Sequence, residues 1–297
     1  MPKHLLSQPG GVPAGNHRVP GDKSISHRAL MLSAAAGGET FIENFLHGND
    51  CIATANALRA LGTEIEISDG TDVRVRGDGK FTPPSQPLDL GNSGTGIRLL
   101  AGLLSGCDLT ATMTGDASLR SRPMRRVTQP LTRMGAIIET STEGTPPLVV
   151  HGKSVLRGID YAMPVASAQV KSAILMAGLA AKAPVIVHEP AVTRNHTEHM
   201  LRAFGMPVSV DANTVRMEPG ARLRSPGRIS VPGDLSSAAF LFAAAAMLPR
   251  ASITIENVGV NPTRTGILDL LARMGAIVRI ERRRESSGEP VADVTVT

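Results

Sequence analysis

Apolar and polar positions follow one plan that recurs four times along the chain. Each segment opens with a turn of small residues and continues into an Ala-, Leu- and Met-rich stretch typical of a buried helix. A short strand-like run, a second helix, a glycine and a further strand complete the segment. The closing glycines lie 73, 70 and 70 residues apart and are Gly62, Gly135, Gly205 and Gly275. This spacing predicts four copies of one structural repeat.

Short shared sequences support the repeat. The first and fourth segments both open with Val-Pro-Gly-Asp-x-Ser, at residues 19–24 and 231–236. The second and fourth share Arg-Met-Gly-Ala-Ile, at residues 133–137 and 273–277. Chance resemblance among Ala-rich helices is the alternative, and the matching spacings argue against it.

The closing glycines predict the C-terminal ends of helices, because glycine adopts a left-handed backbone at least cost. The run that follows the first of them, residues 63–67, alternates polar and apolar side chains, and so does the run 276–280. Alternation with a period of two predicts strands with one buried face. Alternating helices and strands, with extra strands in each repeat, predict the α/β fold class.

Composition limits the possible functions. The chain has 297 residues, which suggests two domains, and 42% of them are hydrophobic but only 2% aromatic. Few aromatic side chains argue against single-stranded nucleic-acid binding, which relies on base stacking. The net charge of +5 suits anionic partners. The basic run Arg282–Arg284 is expected on a solvated surface.

The cysteines and the termini bear on the compartment. Cys51 and Cys107 lie in unrelated contexts and predict neither a disulfide framework nor a metal site, which suits a reducing compartment. Residues 1–15 contain no apolar run that resembles a signal peptide. No stretch of about 18 apolar residues runs without a breaker. We therefore expect a cytoplasmic protein without a membrane span.

The opening turns are candidate anion sites, because helix N-termini offer free backbone N–H groups and a partial positive charge. In the first segment, residues 21–28 read Gly-Asp-Lys-Ser-Ile-Ser-His-Arg. A helix that begins near Ser24 would place Arg28 one turn later on the same face, with Lys23 on the turn. Ammonium, hydroxyl and guanidinium groups would then meet at one anion. An ordinary helix cap with exposed basic residues is an equally open interpretation.

The second segment opens with Gly-Asn-Ser-Gly-Thr-Gly-Ile-Arg at residues 91–98, where glycines let the backbone approach a ligand closely. This turn matches neither the dinucleotide fingerprint nor the P-loop. Residues 120–126 contain four arginines. A nucleic-acid patch is the alternative for these arginines, but Pro123 favours a rigid turn that faces small anions.

In the third segment Ser167 is a candidate helix cap and Gln169 a neutral hydrogen-bonding arm. Farther on, His196 and His199 are three residues apart and could face a metal ion together. No third ligand is evident in the sequence, so we expect no metal.

Taken together, these residues resemble the EPSP synthases (3-phosphoshikimate 1-carboxyvinyltransferases), a branch of the enolpyruvyl transferase family. The resemblance covers the entire chain. The motifs that carry it are residues 21–28, 90–95, 122–123, 167–169 and 261–266, the last of which reads Asn-Pro-Thr-Arg-Thr-Gly.

The resemblance implies two similar domains that close over substrates, each an inside-out α/β barrel of three βαβαββ repeats. The chain of such a protein starts in one domain, builds the other and then returns. We therefore expect residues 19–229 to form a complete domain. Residues 1–18 and 230–297 would belong to a partial second domain, so that four of six repeats are present.

The resemblance also implies transfer of the carboxyvinyl group of phosphoenolpyruvate to the 5-hydroxyl of shikimate 3-phosphate, with release of phosphate and without cofactor or metal. The expected partners are these small anions rather than nucleic acid or membrane, and the full-length protein is expected to be a monomer. Many relatives carry Ser at the position of Ala168, so this chain lacks one hydroxyl there. The implied contacts to shikimate 3-phosphate are Lys23, Ser24, Arg28, Ser167, Ala168, Gln169 and Arg194. Those to phosphoenolpyruvate are Lys23, Gly94, Arg122 and Gln169, and Lys23, which would touch both substrates, is the candidate catalytic residue.

Two alternatives stay open. UDP-N-acetylglucosamine enolpyruvyl transferases typically carry Lys-Asn in the first turn and a Cys in a mobile loop, whereas this chain has Lys23-Ser24 and no Cys in residues 114–120. A non-catalytic substrate-binding fragment is the other, since the family's proton-transfer residues and its last cationic phosphoenolpyruvate contacts would lie beyond Thr297. We therefore expect this chain by itself not to turn over substrate, and part of its apolar helix 238–248 to be poorly covered.

Overall fold

The computed structural model describes residues 10–68 and 70–297. The chain divides into two compact units. The larger unit comprises Gly21–Val231 and Glu285–Glu289, and the smaller unit comprises residues 10–20, Pro232–Arg284 and Pro290–Thr297. All the candidate site residues of the sequence lie in the larger unit.

Short helices and strands alternate along the chain. The helices are α1 Lys23–Ala35, α2 Asn49–Ala60, α3 Gly94–Ser105, α4 Ala117–Arg120, α5 Arg125–Arg133, α6 Ala168–Ala177, α7 His196–Ala203, α8 Leu235–Met247 and α9 Gly266–Arg273, with a 3-10 turn at Gly178–Ala180. The strands are β1 Ala14–His17, β2 Gly38–Glu43, β3 Glu64–Ile67, β4 Val73–Gly77, β5 Leu88–Asp89, β6 Thr110–Thr114, β7 Ile137–Glu139, β8 Leu148–His151, β9 Ile159–Ala162, β10 Val185–His188, β11 Val208–Asp211, β12 Thr214–Met217, β13 Arg228–Ser230, β14 Ser252–Gly259, β15 Val278–Ser286 and β16 Glu289–Val296.

Four sheets of four strands share one topology. Their strand orders are β13-β2-β4-β3, β5-β6-β8-β7, β9-β10-β12-β11 and β1-β14-β16-β15. In each order the first pair of strands is parallel. The second pair is antiparallel. The fourfold repeat and the α/β class predicted from the sequence are therefore confirmed.

Strands β1 and β13 exchange places between two of these sheets. Strand β1 comes before the first repeat in the chain but pairs with β14, with Ala14 opposite Ser252. Strand β13 comes before the fourth repeat but pairs with β2, with Arg228 opposite Phe41. Each of the two sheets thus takes the strand that chain order would assign to the other.

Helices α1, α3 and α6 occupy the interior of the larger unit. Every residue from Ile25 to Ala34 on α1 is buried. The surrounding strands alternate buried and exposed side chains, so the sheets lie outside the helices. Where α3 passes α6, a Cβ at Gly102 would lie 2.2 Å from the carbonyl oxygen of Ala173, so only glycine permits this close approach. The inside-out arrangement expected from the resemblance is confirmed.

The glycines that close the four repeats all have left-handed backbones. Their φ angles are +93° at Gly62, +103° at Gly135, +85° at Gly205 and +100° at Gly275. Each follows the C-cap residue of a helix, which is where a left-handed residue ends the helical hydrogen-bonding pattern. The predicted helix ends are confirmed.

The smaller unit has its own apolar core. Helix α8 packs against β14 and buries Ala238 and Phe242 there. Other apolar side chains of the same helix face outward, and Phe240 is 80% exposed and Met247 75% exposed. The expectation that residues 238–248 are poorly covered is confirmed.

Several surface features also follow the sequence. Arg282, Arg283 and Arg284 are exposed, as predicted for a solvated basic run. Cys51 and Cys107 are both free thiols. Over residues 10–68 and 70–297, none of the helices combines the length and the apolar character that crossing a membrane requires.

Candidate anion-binding site

The N-termini of α1, α3 and α6 lie close together in the larger unit. Gln169 on α6 donates from Nε2 to Oγ1 of Thr95 on α3, at 3.0 Å. Arg28 on α1 donates from Nη2 to Oγ of Ser172 on α6, at 2.7 Å. Each N-terminus carries a partial positive charge, so the three together favour bound anions.

A side chain caps each of these helices. Asp22 accepts from the backbone N–H of Ile25 at 2.9 Å, Ser93 from Gly96 at 2.9 Å and Ser167 from Val170 at 3.4 Å. The cap predicted at Ser167 is confirmed. Helix α1 begins at Lys23, one residue before Ser24, because the Asp22 carboxylate is the cap and Ser24 is already helical. Asp is an effective cap because its carboxylate accepts an otherwise unpaired N–H.

Arg28 is buried, with only 3% of its surface exposed. Its Nε donates to Oγ1 of Thr197 at 2.7 Å, and its Nη1 donates to the carbonyl of Ser24 at 2.8 Å. With the bond to Ser172, these contacts fix the guanidinium plane. A guanidinium carries five N–H groups, so three bonds do not use its full donor capacity. Burial lowers the pKa of Arg28 to about 10, partly offset by Glu198, so the group stays charged at neutral pH.

Lys23 lies more openly at the start of α1, with 46% of its side chain exposed. Its Nζ pairs with the Asp50 carboxylate on α2. Arg194, in the loop before α7, reaches the same turn through a long 3.5 Å contact from Nη1 to Oγ of Ser24. Arg28 and Arg194 thus both contact Ser24, one from inside the protein and one from the loop before α7, whereas Nζ of Lys23 is directed to Asp50.

The glycine-rich turn of the second repeat faces two guanidinium groups. A Cβ at Gly94 would lie 2.7 Å from Nη1 of Arg122 and 3.0 Å from Nη1 of Arg98. Arg122 itself donates to Oδ1 of Asn92 and, at 3.3 Å, to Oγ of Ser118. Two cations beside a helix N-terminus form a second place suited to a small anion.

Arg98 was not among the residues selected from the sequence. Its Nη1 donates to Oε1 of Gln169 at 2.8 Å, and burial lowers its pKa to about 10, with Arg126 and Arg122 acting in the same direction. The repeat could have indicated Arg98 from the sequence. Arg98 lies seven residues after Gly91, as Arg28 lies seven residues after Gly21, and the two arginines are 70 residues apart. The third repeat has Lys171, a further 73 residues on, and it too is buried.

The side chains of Ala168 and of the histidine pair, His196 and His199, contribute less to this site than those described above. Ala168 is buried, and its carbonyl accepts a 2.6 Å hydrogen bond from Oγ of Ser172, which in turn contacts Arg28. Of the histidine pair, His196 is engaged within the protein, because its Nδ1 lies 2.7 Å from Oε1 of Glu289. Across residues 10–68 and 70–297, no three His, Cys, Asp or Glu side chains are grouped so as to hold a metal ion.

Comparison with known proteins identifies the relatives of the chain. The profile of the family described as EPSP synthase (3-phosphoshikimate 1-carboxyvinyltransferase) matches residues 8–296. The protein named 3-phosphoshikimate 1-carboxyvinyltransferase from Alkalilimnicola ehrlichii is 55% identical over 291 residues, which are 97% of this chain and 65% of that protein. The protein of the same name from Methylococcus capsulatus is 54% identical over 290 residues, which are 97% of this chain and 66% of that protein.

Solved structures agree. The EPSP synthase from Acinetobacter baumannii superposes with a TM-score of 0.91 at 46% identity, covering 97% of this chain and 66% of that one. The chain thus spans about 65% of the length of the first of these relatives. The chain belongs to the EPSP synthase family, and not to the related UDP-N-acetylglucosamine enolpyruvyl transferases.

Proposed function

We propose that this chain takes part in transfer of the carboxyvinyl group of phosphoenolpyruvate to the 5-hydroxyl of shikimate 3-phosphate, with release of phosphate. The observation that carries the proposal is the group of cations around three helix N-termini: Lys23, Arg28, Arg98, Arg122 and Arg194. The two substrates together bear two phosphates and two carboxylates. Bringing them together is favourable only where fixed positive charge offsets their repulsion.

We assign shikimate 3-phosphate to the part of the site between α1, α6 and α7. Arg28 is held rigidly there by Ser24, Ser172 and Thr197, and Arg194 approaches Ser24 from the loop before α7. A fixed guanidinium suits bidentate binding of a carboxylate or phosphate. The proposed contacts are Lys23, Ser24, Arg28, Ser167, Ala168, Gln169 and Arg194.

We assign phosphoenolpyruvate to the turn at Gly94. The absence of a side chain leaves room beside the Arg122 and Arg98 guanidinium groups. Gln169 joins this part to the first, because it contacts both Thr95 and Arg98. The proposed contacts are Lys23, Gly94, Arg122 and Gln169.

In the proposed reaction the substrate hydroxyl gives up its proton to a base as its oxygen bonds to C2 of phosphoenolpyruvate, and C3 takes up a proton to become a methyl group. In the second step a base removes one proton from this methyl group, the C2–O bond to phosphate breaks, and the C2=C3 double bond is restored. Lys23 is the candidate catalytic residue because the family resemblance implies that it touches both substrates, and its side chain is 46% exposed at the start of α1. Its ammonium would stabilise the charge that shifts from one substrate to the other in the transition state.

The domain assignment remains a proposal of the same kind. We infer that residues 19–229 form one complete domain and that residues 1–18 and 230–297 belong to a second. The three sheets of equal topology in the larger unit support this division. The two free thiols support a reducing, cytoplasmic location. Only the family resemblance supports a monomer.

Calorimetric titration of the chain with shikimate 3-phosphate tests the first assignment. We expect saturable binding that Arg28→Ala weakens by at least tenfold, since a charged hydrogen bond contributes about 1.5–3 kcal/mol. Arg74→Ala is the control, because Arg74 is an exposed arginine that pairs with Glu39 on a sheet. Binding that Arg28→Ala leaves intact would contradict the assignment. Phosphate release from both substrates together, measured on the full-length protein, follows the transfer, and release that does not require shikimate 3-phosphate would contradict the reaction.

A further inference from the structure

His27 occupies a fully buried position behind the candidate site. It lies on α1, between α2 and the cap of α3. Its Nδ1 is 2.9 Å from Oγ1 of Thr54, and its Nε2 is 3.4 Å from Oγ of Ser93. The imidazole therefore bridges α2, which carries the Asp50 partner of Lys23, and the cap of α3, whose first turn carries Gly94.

The neighbouring hydrogen bonds indicate which ring nitrogen of His27 donates and which accepts. Oγ of Ser93 accepts the backbone N–H of Gly96 at 2.9 Å, so its own proton is available to Nε2 of His27. Oγ1 of Thr54 donates to the carbonyl of Asp50 at 3.3 Å, so it accepts from Nδ1 of His27. All of these bonds are satisfied together by a neutral imidazole with its proton on Nδ1. Burial, followed by the charges of Lys23 and Arg28, lowers the pKa of His27 to about 3 even though Asp50 opposes the shift.

Both ends of this chain of hydrogen bonds meet the site. We call the hydrogen-bonded series Ser93, His27, Thr54 and Asp50 the relay. At one end, a Cβ on Gly96 would lie 2.7 Å from Oγ of Ser93 and 2.8 Å from Oγ1 of Thr54, so the turn is packed tightly against the relay. At the other end, the Asp50 carboxylate pairs with Nζ of Lys23. The relay thus runs from the turn at residues 94–96 to the partner of Lys23.

We propose that His27 is a positioning residue that fixes the first turn of α3, and with it Gly94, relative to Lys23. Its effect falls on the phosphoenolpyruvate part of the site, because Arg28 and its partners Ser172 and Thr197 are held by a separate set of bonds. The assignment of the ligand rests on the proposed function, whereas the relay itself does not.

Two substitutions separate the two bonds of the imidazole. A side-chain Oδ1 or Nδ2 of Asn is two bonds from Cβ, as is Nδ1 of His, so His27→Asn retains the bond to Thr54 and loses the one to Ser93. An Oε1 of Gln is three bonds from Cβ, as is Nε2 of His, so His27→Gln retains the acceptor for Ser93. We expect His27→Asn to weaken phosphoenolpyruvate binding by about tenfold and shikimate 3-phosphate binding by less than threefold. His27→Gln should lie near the parent for both ligands.

Amide hydrogen exchange of the ligand-free chain tests the relay without reference to any ligand. Exchange at Gly96 should accelerate in His27→Asn and remain slow in His27→Gln. His151→Asn is the control, since His151 contacts Thr110 and Glu139 on another sheet of the same unit. Equal exchange in the two His27 variants would overturn the relay. If exchange separates the variants but phosphoenolpyruvate binding does not, the relay stands and the ligand assignment falls.

The parent protein supplies a measurement that needs no variant. The ¹⁵N shifts of the His27 ring should show a neutral imidazole protonated on Nδ1 from pH 5 to pH 8. A ring protonated on Nε2, or a positively charged ring in this range, would overturn the proposal.

Discussion

Arg98 and Gln169 lie 71 residues apart in sequence and are joined by a 2.8 Å hydrogen bond from Nη1 to Oε1. Because Gln169 also donates to Thr95, this pair connects the first turns of α3 and α6. The two helices begin different repeats, so one neutral side chain and one buried cation hold two parts of the candidate site in a fixed relation.

Arg98→Met should destabilise the larger unit by about 1–3 kcal/mol, because it leaves Oε1 of Gln169 without its buried donor. The carbonyl of Pro123, which accepts from Nη2 at 3.3 Å, loses a contact as well. Urea unfolding of the variant and the parent measures the difference. Arg74→Met is the exposed control and should change the free energy of unfolding by less than about 0.5 kcal/mol. Equal stability of Arg98→Met and Arg74→Met would show that the Arg98 bonds contribute nothing net.

Gly94→Ala should weaken phosphoenolpyruvate and any phosphonate that competes with it while leaving the fold intact. The new methyl group would meet the ends of the Arg122 and Arg98 side chains, which can move, rather than backbone. Displacing those guanidinium groups should reduce affinity by roughly tenfold or more. Gly266→Ala is a matched control at the start of α9, where a Cβ would meet no atom within 4 Å. An unchanged inhibition constant would place Gly94 outside the pocket.

Arg122→Ala should weaken phosphoenolpyruvate far more than shikimate 3-phosphate. Losing a charged hydrogen bond costs about 1.5–3 kcal/mol, which corresponds to roughly 10- to 150-fold in affinity. Separate titrations with the two ligands measure this difference. Arg120→Ala, which removes an exposed arginine two residues away, serves as the control. Equal losses for both ligands in Arg122→Ala would reject the assignment.

Lys171→Met should destabilise the larger unit strongly, by about 3–5 kcal/mol. Nζ of Lys171 lies 2.7 Å from Oε2 of Glu189 and 2.6 Å from Oε1 of Glu198, and all three side chains are buried. Removing the cation leaves two buried carboxylates that repel each other. Thermal and urea unfolding measure the loss, with Lys153→Met as the exposed control.

A triple variant tests whether charge explains the effect of Lys171→Met. Changing Glu189 and Glu198 to Gln in the Lys171→Met background removes both buried negative charges and should recover part of the lost stability. No recovery would mean that shape rather than charge explains the effect of Lys171→Met.

Acidification should destabilise the larger unit through His27. Its pKa is lowered to about 3, so between that value and the ordinary value of about 6.5 the unfolded chain binds a proton that the folded chain excludes. Stability contributed by the neutral ring is therefore complete above pH 6.5 and is lost as the pH falls toward 3. The slope is at most about 1.4 kcal/mol per pH unit.

Urea midpoints at pH 7 and pH 5 measure this dependence. The difference between the two pH values should be smaller in His27→Gln, which has no titratable group at this position, than in the parent. Identical differences would show that His27 does not titrate on unfolding.

The amino-acid sequence by itself determined the repeat, the α/β class and the ends of the helices. These are local properties: apolar periodicity marks α1, α3 and α6 as buried, and a glycine with positive φ ends a helix wherever it lies in the fold. The motifs at the start of the first three repeats also identified most candidate residues, because a helix N-terminus with adjacent cations suits an anion without reference to distant parts of the chain.

The tertiary structure alone decided which of these residues act together. Arg28 is fixed by Thr197, 169 residues away, and Arg98 by Gln169, 71 residues away, and no local pattern encodes such pairs. The choice of Asp22 over Ser24 as the cap depended on the backbone angles at which the chain enters α1. Periodicity specifies which face of a helix is buried, but only packing brings a given donor and acceptor within hydrogen-bonding distance. For that reason the elements were predictable from the sequence, whereas the partners that Arg28, Arg98 and Lys171 each bind elsewhere in the chain were not.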